Sequence, residues 1–187
     1  MNINEFNNNV NALSNAIIAQ LPSISATITK TGLSFIHDRI LNEGLPGVKY
    51  STNKLPGFFF TGKSISDLGK DAVNSVIKKN QKSGTPGISY EEFRKANGLQ
   101  TSHVDLRLTG DMWSDMDVLE GSGAGFKYIT EAGSKNSITY PDGKKTGDIV
   151  GYLAERYGDF LTPTIAEERI LNNSLDEELQ NLIDTYL

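Results

Sequence analysis

No cysteine occurs among the 187 residues. Disulfides, zinc thiolates and cysteine nucleophiles are thereby excluded. Histidine is nearly as scarce: His37 and His103 are the whole supply, too little for a histidine-rich metal site. No apolar run approaches the ~20 residues that a membrane-spanning helix requires. The opening stretch, MNINEFNNNV, has neither the basic nor the apolar region of a secretory signal. Basic residues are outnumbered, 18 against 23 acidic, for a formal net charge of −5, which argues against a duplex-DNA binder with a basic face. The expectation is a soluble chain with no membrane partner.

What is present suits one domain over residues 1–187. Hydrophobic residues make up 37% of the chain, enough for a modest core. Ile3, Phe6, Val10, Leu13, Ile17 and Leu21 recur every three or four residues, the stripe of an amphipathic helix. Pro22 suits the first turn of a second helix. That helix carries Ile24, Ile28, Ile36 and Ile40, with Gly32 on the same line to admit a neighbouring backbone. Gly44 and Pro46 close this helical region, 1–44. Residues 45–85 read as a loop and short-helix element, with a helix over 66–79 and a flexible loop at QKSGTPG. Ser89 and Glu92 have the spacing of a capping box, and Gly98 ends the helix they open.

From His103 onward the pattern changes. Val104, Leu106 and Leu108 alternate with Asp105 and Arg107, the period of a strand. Two further strands are expected at about 115–120 and 125–131, joined by a loop at Gly121, Ser122 and Gly123. A third short strand is expected at 137–140, before a turn at PDG. Helical spacing resumes over 147–157, and again after Thr162-Pro163-Thr164, where Leu175, Leu179, Leu182 and Ile183 give an inner face. The fold class is α+β: N-terminal helices packed on a small antiparallel sheet, with a C-terminal helix.

Residues 57–64, GFFFTGKS, match the phosphate-binding pattern G-x-x-x-x-G-K-[ST]. The upstream KYSTNKLP is too polar for the buried strand such a loop needs, and no apolar run ending in an acid supplies a magnesium-holding strand. Nucleotide binding is therefore the lesser alternative. Asp111, Asp115 and Asp117 fail the calcium-loop pattern at its third ligand, so no metal is expected. No G-x-S-x-G elbow exists, and no serine accompanies His103 and Asp105. Glu91, Glu92, Glu120 and Glu131 show no acid/base pair by spacing. The expectation is a chain with no cofactor and no enzyme activity.

Three segments carry a resemblance over about residues 86–187: LTGDMWSDMDV, FKYITEAGSK and ERYGDFLTPTIAEE. In this order they resemble the tail-completion, or minor tail-component, family of tailed bacteriophages. The family shows a Thr/Ser-Gly-x-Leu/Met turn, a strand ending in Glu-x-Gly, and an Arg-Pro-Phe-Leu-x-Pro segment before a terminal helix. Here the last reads Arg156-Tyr157-Gly158-Asp159-Phe160, a departure, and 45–85 looks like an added element. The resemblance implies a small α+β structural protein of the virion, assembled as a ring in the neck between portal and tail. Its implied partners are copies of itself, other neck, portal-adaptor or tail proteins, and genomic DNA that passes without specific binding. Another head or tail morphogenesis role, such as a tail terminator, is the nearest alternative. It implies no catalytic residue. Interface candidates are Phe58, Phe59 and Phe60 in the aromatic loop, with Met112, Trp113, Phe126, Tyr128 and Phe160 in the family-like segments.

Overall fold

Apolar side chains recurring at helical spacing organise the first element, α1 (Ile3–Asn42), which runs unbroken for 40 residues. The computed structural model describes residues 2–56, 60, 69–106, 110–119, 121–124, 127–140 and 143–187. Among them the order continues with α2 (Lys70–Lys82), α3 (Tyr90–Ala96), α4 (Asp111–Asp115), β1 (Met116–Val118), β2 (Ser122–Ala124), β3 (Lys127–Ile129), β4 (Ala132–Ser134), α5 (Thr146–Tyr157) and α6 (Ile165–Tyr186). The fold is α+β, and no described helix is long and apolar enough to cross a membrane. The chain gathers into two compact units. Unit 1 holds Met1–Asp38, Asp115–Lys135 and Asp159–Leu187; unit 2 holds Arg39–Ser114 and Asn136–Gly158.

In unit 1 the sequence suggests two helices parted at Pro22, but Pro22 lies inside α1. A proline in a helix interior costs roughly 3 kcal/mol, because it removes one hydrogen bond and crowds the preceding turn. The apolar line through Ile17, Leu21, Ile24 and Ile28 passes across the proline without a break, and packing on that line outweighs the local loss. Ile24, Leu33 and Ile36 are buried. Gly32 is buried too, and it admits a side chain rather than a backbone: a Cβ there would stand 3.2 Å from Leu171 Cδ1 of α6. α6 begins with a capping box, Thr164 Oγ1 accepting from Glu167 N–H and Glu167 Oε2 accepting from Thr164 N–H. Leu182 on its inner face is buried, whereas Ile183 lies outside that face.

The strands also belong to unit 1, and their pairing differs from expectation. β1 pairs antiparallel with β4, Met116 opposite Ser134, and β2 with β3, Ser122 opposite Ile129. Ser122 and Gly123 are thus strand residues rather than a loop. Between the two ladders one side has three residues, 119–121, and the other two, 130–131, the count of a one-residue bulge. Thr130, on the shorter side, joins the hairpin to α1. Its hydroxyl lies 2.8 Å from Ser25 Oγ and 2.5 Å from Thr29 Oγ1, and donates to the Ser25 carbonyl at 3.0 Å.

Unit 2 is built on a cluster of Phe60, Val73, Ile88 and Phe93, with Val76, Ile77, Tyr90 and Ala96 packed against it. α3 is fixed at both ends. Ser89 and Glu92 form the capping box the spacing predicts. At the other end Gly98 N–H reaches Lys95 O and Leu99 N–H reaches Arg94 O, with Gly98 at φ +68°, a Schellman close that suits glycine. The alternating stretch after His103 forms no strand over its described residues. Asp105 N–H is taken by the Tyr50 hydroxyl instead of a ladder partner, and Leu106 has φ +52°. The predicted strand at 137–140 reduces to a single bridge, Thr139 with Lys145.

Gly32→Leu is expected to destabilise unit 1 by about 1–3 kcal/mol, because the added side chain overpacks the contact with Leu171. Urea unfolding followed by circular dichroism measures it; an unchanged midpoint would rule out the α1–α6 contact.

Candidate functional site

In unit 2 one arginine is buried almost completely. Arg94 sits on α3 four residues after Tyr90, so the two share a helix face. Its side chain is buried to 1% exposure, and burial of a guanidinium requires a charge partner. Asp105 supplies it: Arg94 Nη2 donates to Asp105 Oδ2 at 2.9 Å. Arg94 Nε donates to the Gln100 carbonyl at 3.0 Å. The Tyr50 hydroxyl donates to the other carboxylate oxygen, Oδ1, at 2.7 Å. The guanidinium also lies over the Tyr50 ring, 4.4 Å from its centre. Burial first, and then the hydrogen bond to Asp105, push the Tyr50 hydroxyl far above its ordinary range. Burial likewise raises Tyr90, against the opposing pull of Arg94. Both phenols therefore stay neutral at physiological pH.

This cluster forms the inner wall of a half-open cleft of about 510 Å³. Tyr50 and Tyr90, with ring centres 5.5 Å apart, line it together with Val104 and Phe60. α5 contributes Ile149, Tyr152, Leu153, Arg156 and Tyr157 to the lining. Arg156 Nη1 donates to the Tyr152 hydroxyl at 3.5 Å, and its guanidinium lies 5.4 Å from the centre of the Tyr157 ring. What the arrangement offers a ligand is ring faces, apolar walls and a guanidinium.

Of the interface candidates only Phe60 lines the cleft among the described residues. Phe60 is buried and stacks on Phe93 with ring centres 5.0 Å apart. Met112 and Trp113 are buried in unit 2 and Phe160 in unit 1, so these side chains are occupied by packing within the chain. Tyr128 lies in β3. Phe58, Phe59 and Phe126 lie outside the described residues, as do all of residues 57–64 except Phe60.

The acids and histidines weighed for chemistry have local roles. His103 Nε2 lies 2.8 Å from the carbonyl of Leu41 in the last turn of α1, and Nδ1 lies 3.0 Å from Ser102 Oγ. Asp115 accepts from Ser134 Oγ at 2.5 Å, and Asp117 pairs with Lys135 at 3.0 Å. Among the described residues no three acidic or histidine side chains gather as a metal ion requires. Glu92 closes the capping box and pairs with Lys54. Burial pushes its carboxyl up, but the hydrogen bonds from Lys54 and Ser89 prevail and hold it below its ordinary value.

Sequence reasoning passes over Tyr50, Arg94 and Tyr152, and names Arg156 only within a family-like segment. The Tyr90–Arg94 spacing is visible as a shared helix face, but nothing local shows that Asp105 turns inward to meet it. Compared with protein-family models, curated proteins and solved structures, the chain matches none.

Asp105→Ala is expected to cost about 3–5 kcal/mol, since it leaves Arg94 buried without its charge partner. Chemical denaturation measures it, and a loss under 1 kcal/mol would show that the pair is not buried in solution. Glu92, whose folded pKa is lowered, contributes stability above the unfolded carboxyl value, lost as pH falls through the folded one. Thermal unfolding of wild type and Glu92→Gln is therefore expected to differ at pH 7 and to converge only when the pH falls below the ordinary carboxyl value.

Proposed function

We propose that the chain is a structural virion protein of a tailed-bacteriophage head–tail junction, a subunit that joins copies of itself and neighbouring neck, portal-adaptor or tail proteins. The reading begins from the ordered resemblance over residues 86–187. The observation that supports it is the uncovered end of α1. Ile3 is 76% exposed, Phe6 49% and Val10 39%, on the same stripe that continues into the buried Ile24. A helix shows such a stripe to water at a cost, and covering it releases roughly 25 cal/mol for each Å² of apolar surface buried. A subunit that docks on others gives the stripe a cover. Ring assembly requires two different surfaces on each copy, and the stripe supplies one of them. The net charge of −5 suits a channel wall along which DNA moves without adhering. No chemical step enters this role.

Sedimentation velocity is expected to show association of the wild-type chain, and Phe6→Asp to shift it toward monomer at the same concentration. Cryo-electron microscopy of particles is expected to place the chain in the neck. A strictly monomeric protein that is absent from purified particles would overturn the reading.

A further inference from the structure

We propose that the cleft of unit 2 is a binding site for a planar aromatic anion. Its size of about 510 Å³ falls within the range of small-molecule sites, as does its lining of aromatic and aliphatic side chains with few polar groups. The shape of the ligand follows from the rings. Tyr50, Tyr90, Tyr152 and Tyr157 all line the cleft, and Tyr152 is 57% exposed, so a flat apolar body has aromatic surface to pack against.

The sign of the ligand's charge follows from the arginines. Among the described residues, Arg94 and Arg156 are the two charged ones that line the cleft. Arg94 is neutralised by Asp105, and its guanidinium covers the Tyr50 ring. Arg156 differs: it meets the Tyr152 hydroxyl and the Tyr157 ring, and no carboxylate pairs with it among the described residues. Glu155, one position earlier on α5, points to another face of the helix. The described lining therefore carries one net positive charge, at an exposed position. Tyrosine-lined pockets also suit cations, but two of these ring faces are already occupied by guanidiniums, and a third cation would meet their repulsion. An anion meets a planar fork of donors instead. The site does not depend on the assembly reading, because no residue of the exposed α1 stripe lines it.

Three probes separate the contributions: 2-naphthoate, its neutral analogue 2-naphthamide, and hexanoate, which has the charge but no ring. Isothermal titration against the full chain is expected to show saturable one-site binding of naphthoate and none of hexanoate. Arg156→Gln is expected to weaken naphthoate about tenfold and to leave naphthamide unchanged. Tyr152→Ala is expected to weaken both ring ligands. Both substituted positions are exposed, and matching thermal melts confirm that the variants are folded. Absence of saturable naphthoate binding at millimolar concentration, or an affinity that neither substitution changes, would overturn the proposal.

Discussion

Arg94 cannot be buried alone. A guanidinium withdrawn from water without compensation is so costly that the surrounding chain must be arranged to meet it. Asp105 reaches it from a segment that has no ladder to hold it, and the Tyr50 hydroxyl both donates to the Asp105 carboxylate and accepts from its backbone N–H. Three separate stretches of unit 2 are thereby fixed to one another: the loop after α1, the body of α3 and the segment before α4. The shape of the cleft follows from that constraint, since Tyr50 and Arg94 form its inner wall. A hydrophobic core alone would permit many packings of these loops. The charge pair and its hydrogen bonds, which demand particular partners at particular distances, select one.

Much of the helical framework is legible in the sequence, because helices are declared by local signals. The capping box at Ser89 and Glu92 and the close at Gly98 are read from residues three or fewer apart, and the structure has both. Other features escape for a common reason: they are settled by partners far along the chain. Pro22 looks like a boundary until the apolar line is seen to run through it, with Ile17 and Leu21 half-buried before it and Ile24 buried after it. Ser122 and Gly123 look like a turn until the register of β2 against β3 is known. The alternation at Val104, Asp105 and Leu106 imitates a strand because one acid must turn inward toward an arginine eleven residues earlier. The cleft is the least legible part, being assembled from five stretches of chain that share no motif.

The two proposed roles draw on different parts of the molecule. The assembly reading uses the end of a long helix, where apolar surface is present without shape. The ligand site uses a concave surface with a charge and several rings, where shape and chemistry are both present. Each is paired with a distinct kind of observable, association state for one and saturable titration for the other. The acidic balance of the chain bears on both. It disfavours nucleic acid as a partner, and it makes a net positive cleft stand out from its surroundings.

The contact between Gly32 and Leu171 has a consequence for the order of events during synthesis. Unit 2 has all of its residues once Gly158 has been made, whereas unit 1 still lacks α6. Translation at ~5–20 residues per second leaves the apolar face of α1 without its cover for on the order of ten seconds. The hairpin that joins α1 through Thr130 precedes α6 in the chain, so the Gly32 position is the part of α1 whose cover comes last. Chain order thus makes unit 1 the later of the two units to be complete.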